Sequence, residues 1–180
     1  MATTMIDTTI RPMEAADVPA VWEILRTANA QFAHQVPPLL FRAYLADVLD
    51  IESRTGRSVA LVADHGGRPA GTITYFRDAN DEGIGPAVPA GTAGIRAVAV
   101  DPAARGLGIG RRLAEAAVDL ARRDGAAAIV LHTWSVMESA IRVYEGVGFR
   151  RAPRFDAGSS AFFPTGIAED PPALAFWLDL

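Results

Sequence analysis

Cysteine and lysine are both missing from this chain of 180 residues, and each absence excludes a class of chemistry. Without a thiol, the chain cannot form a disulfide, a thiolate metal site or a cysteinyl acyl-enzyme. All 17 basic residues are arginines, which excludes Schiff-base catalysis and the lysine of a phosphate-binding P-loop.

Long apolar runs and an excess of positive charge are missing as well. No run approaches the roughly 20 apolar residues of a membrane-spanning helix, and residues 1–7 lack the basic and apolar regions of a signal peptide. The net charge of −4 gives no positive field that would attract a nucleic acid. Half of the residues are hydrophobic, which is enough to bury one core. We therefore expect one cytoplasmic domain over residues 1–180, without membrane or nucleic-acid partners.

The spacing of apolar residues predicts a mixed α/β chain. Helical spacing is found at residues 18–25, 39–51, 113–121 and 137–147. The predicted strands are residues 8–12, 58–63, 70–76, 93–100, 126–133, 148–155 and 173–180. Residues 78–91 are rich in glycine, proline and acids and are predicted to form a long loop. The strand–helix–strand unit at 93–133 predicts that its two strands pair in parallel.

A glycine-rich turn connects the strand at 93–100 to the helix that follows it. Gly106, Gly108 and Gly110 have no Cβ to prevent close approach of a ligand to the backbone N–H groups. The start of the helix adds unpaired N–H groups and the positive end of its dipole. This combination predicts a binding site for phosphate or pyrophosphate, although an ordinary tight turn would use the same glycines.

Two familiar phosphate-binding motifs do not match this turn. A Walker P-loop requires Lys and then Ser or Thr after its last glycine, but Gly110 precedes Arg111 and Arg112. The dinucleotide fingerprint requires glycine or alanine at its sixth position, where this chain has Arg111 or Leu113, depending on the first glycine. Neither a P-loop nor a dinucleotide site is therefore indicated.

The chain resembles the GCN5-related N-acetyltransferase (GNAT) superfamily over most of its length, because it carries two motifs of that family in the same order. The first is Arg105-Gly-Leu-Gly-Ile-Gly110, preceded by Val98-Ala-Val-Asp-Pro102, and the second is Ala140-Ile-Arg-Val-Tyr-Glu-Gly-Val-Gly-Phe149. The resemblance implies a twisted, mostly antiparallel mixed sheet of about seven strands, with about four helices and a parallel strand pair at the cofactor site.

The resemblance also implies acetyl-CoA as cosubstrate, and no metal. Pantetheine is expected to hydrogen-bond along the strand at 98–100 as an added strand would, with the pyrophosphate on the glycine turn. The implied cofactor-binding residues are Val98, Ala99, Val100, Arg105, Gly106, Leu107, Gly108, Ile109, Gly110 and Arg111. Arg112 suits the cofactor phosphates and a solvated helix face equally well.

Tyr144 aligns with the family tyrosine that protonates the sulfur of CoA. Its helical face also carries Met137, Ala140 and Ile141, a spacing that is typical of core residues. Met137 stands where the family often has an asparagine, so we expect weaker or purely apolar cofactor contact from this helix. The chain has no cysteine for a cysteinyl acyl-enzyme, and the resemblance implies direct attack by the acceptor amine within a ternary complex.

The general base is left open by the sequence. The strand at 93–100 carries no carboxylate; its Arg96 could bind an acidic substrate or form a salt bridge. The candidate bases are His132 and, through a bound water, Glu52, Asp78 or Glu82. The first two helices and the loops at 78–91 and 156–172 are expected to recognise the acceptor, with aromatic residues Trp22, Phe32, Phe41 and Tyr44 and the imidazole of His34 nearby.

The expected function is acetyl transfer to a primary amine of a small molecule or peptide. Two other functions are compatible with the motifs: a non-catalytic acyl-CoA sensor, and a nucleotide-binding module that uses the same turn. A homodimer is plausible on the resemblance alone.

Overall fold

The computed structural model describes residues 7–180. It contains four helices: α1 (Val18–Asn29), α2 (Pro38–Leu49), α3 (Ile109–Arg123) and α4 (Glu138–Val147). The strands are β1 (Thr8–Pro12), β2 (Val59–His65), β3 (Pro69–Phe76), β4 (Thr92–Val100), β5 (Ala128–Thr133), β6 (Arg150–Arg151), β7 (Ala157–Gly158) and β8 (Pro172–Asp179). None of the helices in this part of the chain combines the length and apolarity that a bilayer crossing requires.

The strands form one open sheet in the order β1-β2-β3-β4-β5-β8-β6, and β7 pairs with β8 outside this path. Every pairing is antiparallel except that of β4 with β5, so the predicted fold class and the predicted parallel pair are confirmed. The predicted strand at 148–155 is wrong in extent. Only Arg150–Arg151 pairs with β8, and Pro153–Phe155 forms a 3₁₀ turn, because Pro153 has no N–H to continue a ladder.

Helices cover both faces of the sheet. Leu61 and Ala63 of β2 pack in the cluster that includes α3, whereas Val62 packs against α1, because successive strand residues point to opposite faces. On α3, Leu113, Ala117 and Ala121 repeat every four residues and are fully buried. The sheet therefore has α1 on one side and α3 and α4 on the other.

Two irregularities at the middle of the sheet, a bulge in β4 and the end of the β4–β5 ladder, lie beside a cavity. Thr74 of β3 pairs with Arg96 and Thr72 with Ala99, so β4 contains one extra residue in this stretch. Ala97 within this bulge has φ of 51°. Next to it, the β4–β5 ladder ends at the Gly94–Val130 pair. Beyond that pair the two strands are no longer registered with each other, and the cavity described below lies there.

Candidate functional site

A cavity of about 800 Å³ lies where β4 and β5 separate. Its lining includes the second half of β4, the end of β5, the glycine turn, the start of α3 and one face of α4. Residues from α1, α2 and the two loops predicted to recognise the acceptor complete it. The structure thus brings both predicted halves of a transfer site into one continuous space.

The glycine turn and the start of α3 form one end of this cavity, which we call the donor end. Gly106 and Gly108 have φ of 81° and 73°, and a Cβ on either would meet no atom within 4 Å. The first backbone bond of α3 runs from the Arg112 N–H to the Gly108 carbonyl. The N–H groups of Ile109, Gly110 and Arg111 consequently have no acceptor within the helix and are available to an anion.

Most of the predicted cofactor contacts meet at the donor end. All of them line the cavity except Leu107, a residue that is 53% exposed. Arg112 does not line the cavity, and the Arg111 guanidinium is bonded to Glu115 at 2.8 Å on the helix surface. Arg105 and Arg111 are therefore the arginines that line the donor end, and the charge of Arg111 is paired with Glu115.

Tyr144 has a position that is compatible with both roles that the sequence left as alternatives. Its ring packs in the core against Phe149 at a centroid distance of 6.0 Å, and the residue also lines the cavity. Burial raises the pKa of its phenol above the ordinary value, so the hydroxyl stays protonated at neutral pH. Helix α4 ends just beyond it, where Gly148 adopts φ of 114° and its N–H donates to the Tyr144 carbonyl.

Glu82 projects into the opposite end, which we call the acceptor end. It closes a 3₁₀ turn, Ala79–Glu82, that begins where the Asp78 carboxylate accepts the Asn80 N–H at 2.9 Å. Gly83 ends the turn with φ of 72°. A Cβ on Gly94 would lie 2.6 Å from Glu82 Oε1, so the missing side chain on β4 makes room for this carboxylate.

Glu82 belongs to a partly buried group of alternating charges with Arg96 and Asp47. Arg96 Nη1 lies 3.8 Å from Glu82 Oε2, and Arg96 Nη2 is bonded to the Asp47 carboxylate. Burial raises the pKa of Glu82 to about 7, although Arg96 acts in the opposite direction. Of the two roles considered for Arg96, the structure therefore supports the salt bridge.

The other candidate bases are placed less favourably. Glu52 and Asp78 do not line the cavity, and the Asp78 carboxylate is occupied as a cap. His132 does line it, and its Nε2 lies 2.9 Å from the Phe155 carbonyl. Because a carbonyl can only accept, Nε2 carries the proton, and burial lowers the pKa of the ring. His132 is therefore a neutral residue that holds the 153–155 turn against β5.

Aromatic rings form a wall of the acceptor end. Tyr44 lies 4.7 Å from Trp134 and 5.9 Å from Phe163 between ring centroids. Phe162 lies 4.8 Å from the His132 ring. Among the aromatic residues expected near the acceptor, Tyr44 and Phe32 line the cavity, whereas Trp22, His34 and Phe41 do not. Trp134 and the Phe162–Phe163 pair were not predicted from the sequence; the only signal was an aromatic pair within a Gly- and Pro-rich loop.

Comparison with known proteins gives a consistent result. Residues 19–149 match the model of the acetyltransferase (GNAT) family. Among curated proteins, an uncharacterized protein of Mycobacterium leprae is 43% identical over 70 residues, which cover 37% of this chain and 19% of that protein. The match thus spans about a fifth of that relative's length.

Solved structures share the fold at low sequence identity. One is yncA from Salmonella typhimurium with its cofactor acetyl-CoA (24% identity, 96% of this chain, 94% of that chain, TM-score 0.65). Another is the PaiA N-acetyltransferase from Thermoplasma acidophilum in complex with coenzyme A (14% identity, 97% of this chain, 100% of that chain, TM-score 0.71). The ribosomal-protein-S18-alanine N-acetyltransferase from Escherichia coli also matches (22% identity, 96% of this chain, 94% of that chain, TM-score 0.62). With the family model covering most of its length and the fold shared throughout, the chain belongs to the acetyltransferase (GNAT) family.

Proposed function

We propose that this chain transfers an acetyl group from acetyl-CoA to a primary amine, by direct attack within a ternary complex. One observation carries the proposal. A single cavity joins the free amide groups at the start of α3, the unpaired edge of β4 and the buried phenol of Tyr144. Each of these features meets a separate requirement of acyl transfer.

The donor end suits acetyl-CoA chemically. The N–H groups of residues 109–111 and the guanidinium groups of Arg105 and Arg111 complement the pyrophosphate. Beyond Gly94, the edge of β4 that faces β5 pairs with no strand among residues 7–180, so its backbone groups are available to the pantetheine amides. When bound, acetyl-CoA supplies an activated acetyl thioester.

At the acceptor end, we propose that Glu82 removes a proton from the amine. A primary amine is mostly an ammonium ion at neutral pH and has no lone pair for attack until that proton leaves. With a pKa of about 7, Glu82 is ionised in about half of the molecules at that pH and can both accept the proton and release it to water. His132 is the weaker base of the two, because burial lowers the pKa of its ring below the ordinary value.

In the proposed reaction, Tyr144 carries out the second proton transfer. As the nitrogen bonds to the acetyl carbon, the carbon–sulfur bond breaks and its electron pair goes to sulfur. Tyr144 gives its phenolic proton to this thiolate, and the second nitrogen proton returns to the phenolate. The first proton ends on Glu82, so the products are an N-acetyl amine, a free thiol and one released proton.

Two measurements on the purified chain test this proposal. Acetyl-CoA should raise the melting temperature, whereas ATP and NAD should not, since ligands stabilise only the state that binds them. A broad panel of primary amines should then produce free thiol in an amine-dependent manner. Binding of acetyl-CoA with no amine-dependent thiol release would contradict the enzyme and favour an acyl-CoA sensor. Equal stabilisation by ATP or NAD would contradict the donor site.

A further inference from the structure

We infer that the acceptor is a primary monoamine with an aromatic or similarly flat apolar body and no carboxylate. This inference rests on the proposed function and concerns only the acceptor end of the cavity. It is carried by three properties of that end: the aromatic wall, the balance of charges around Glu82, and the closure of the two loops that cover it.

The aromatic wall presents ring surfaces whose polar atoms are already satisfied. The Tyr44 hydroxyl donates to Asn29 Oδ1 at 2.8 Å, and the Trp134 indole N–H donates to Ser159 Oγ at 2.8 Å. Phe163 completes the wall, 6.5 Å from Trp134 between centroids. The hydroxyl and indole hydrogen-bond donors of these rings are therefore already used. Contact between one of the rings and an aromatic acceptor would favour that acceptor over an aliphatic one by about two- to tenfold.

The charges at this end accommodate one ammonium group. The 78–91 loop is acidic in sequence, but Asp78 serves as a cap, Asp81 is exposed, and Glu82 points into the cavity. The other acid on the lining, Glu138, is largely exposed and lies 3.5 Å from Arg142. A polyamine would therefore bring a second ammonium group to an end of the cavity that offers ring faces but no second inward-pointing carboxylate among residues 7–180.

A carboxylate on the acceptor would find no free cation. Arg96 is the arginine that lines the acceptor end, and its two Nη atoms face Glu82 and Asp47. Its Nε has no hydrogen-bond partner among residues 7–180, but it is buried and exposes almost no surface to an acceptor. Arg105 and Arg111 belong to the donor end. An amino-acid carboxylate would thus approach Glu82 and Asp47, and like charges would repel it.

The two covering loops contact each other, which favours a small acceptor. The Gly85 N–H donates to the Ala161 carbonyl at 3.0 Å, and the Phe162 ring lies directly against Gly85, where any side chain would overlap it. A long peptide that crossed this side of the cavity would have to separate the two loops. A small amine needs only the cavity that already exists.

A panel of matched amines tests this inference. Phenethylamine and phenylalanine share the aromatic ring and differ in the carboxylate, whereas butylamine lacks the ring and spermidine adds ammonium groups. We expect kcat/KM for phenethylamine to exceed that for each of the others, and for a tripeptide with a free N-terminus, by about tenfold or more. Faster acetylation of spermidine, phenylalanine or the peptide would overturn the inference and leave the proposed function intact. No transfer to any amine would overturn both.

A variant separates aromatic contact from general damage. Phe163→Leu keeps an apolar side chain but removes the ring, so KM for phenethylamine should rise about three- to tenfold, while KM for butylamine stays within about twofold. Trp22→Leu is the control, because Trp22 is a half-exposed aromatic residue on α1 outside the cavity. It should leave both constants unchanged. Equal changes for the two amines in Phe163→Leu would overturn the aromatic wall as the selecting element.

Discussion

Glu82 owes its properties to residues that are distant from it in sequence. Its carboxylate lies in the space that the missing side chain of Gly94 leaves free, and the nearby arginine also pairs with Asp47. Burial therefore outweighs attraction, and the pKa rises to about 7. From the sequence, Glu82 was one of several acids that could not be ranked as candidate bases. Its direction into the cavity depends on the Asp78 cap and the left-handed conformation of Gly83, which the sequence does not reveal.

Removing the charge of Glu82 should change both the rate and its pH dependence. In the wild type, kcat/KM should rise with pH through about 7, because the base form of Glu82 is the deprotonated one. Glu82→Gln should lose this limb and about a hundredfold or more in kcat/KM. Steady-state kinetics between pH 5.5 and 8.5, set by the buffers, measure both effects. The exposed Glu52→Gln is the control, and a Glu82→Gln profile that keeps its limb near pH 7 would assign the titration to another group.

At the scale of elements, the regular parts of the site were predictable and the irregular ones were not. Apolar periodicity indicated β4, α3 and α4, and the glycine spacing indicated the donor turn, because these patterns are local. The bulge at Ala97 and the end of the β4–β5 ladder at Gly94 depend on pairing with neighbouring strands, which no local pattern encodes. The wrong extent of the strand at 148–155 has a similar cause, since Pro153 ends a run that was otherwise suited to a strand.

The donor turn can be tested by two glycines with the same backbone strain. Gly108 and Gly67 both have positive φ, and a Cβ on either would meet no protein atom within 4 Å. Alanine should destabilise the fold at each position by about 1–2 kcal/mol, the usual cost of the left-handed region. Only Gly108→Ala should also weaken acetyl-CoA binding, measured by calorimetry. Equal affinity in the two variants would contradict a cofactor role for this turn.

The fit between β4 and the 79–82 turn gives a second test at this scale. A methyl group at position 94 would displace the Glu82 carboxylate and crowd Ala79, so Gly94→Ala should lower kcat/KM by about tenfold or more while acetyl-CoA binding persists. Gly146→Ala on α4 is the matched control, because open space surrounds that position. Loss of cofactor binding in Gly94→Ala would indicate damage to β4 as a whole.

For the whole molecule, a buried acid at the site should reduce stability above neutral pH. The folded-state pKa of Glu82 is about 7 and lies above its ordinary value of 4.5, so folding is opposed increasingly as pH rises from about 4.5 through 7. Glu82→Gln should therefore raise the free energy of unfolding at pH 8 by on the order of 2 kcal/mol, with no gain near pH 4. Urea unfolding at both pH values measures the difference. An equal effect at both would contradict the buried titration.

The central claim is that one cavity joins an acetyl donor to an amine, with Tyr144 protonating the departing sulfur. The most direct measurement quantifies free thiol and N-acetyl amine together, by thiol titration and mass spectrometry, in the wild type and in Tyr144→Phe. We predict equal amounts of the two products, formed only when acetyl-CoA and amine are both present. Tyr144→Phe should lower kcat by about a hundredfold and keep the affinity for acetyl-CoA. Thiol release that is independent of the amine, or unchanged turnover in Tyr144→Phe, would contradict this account.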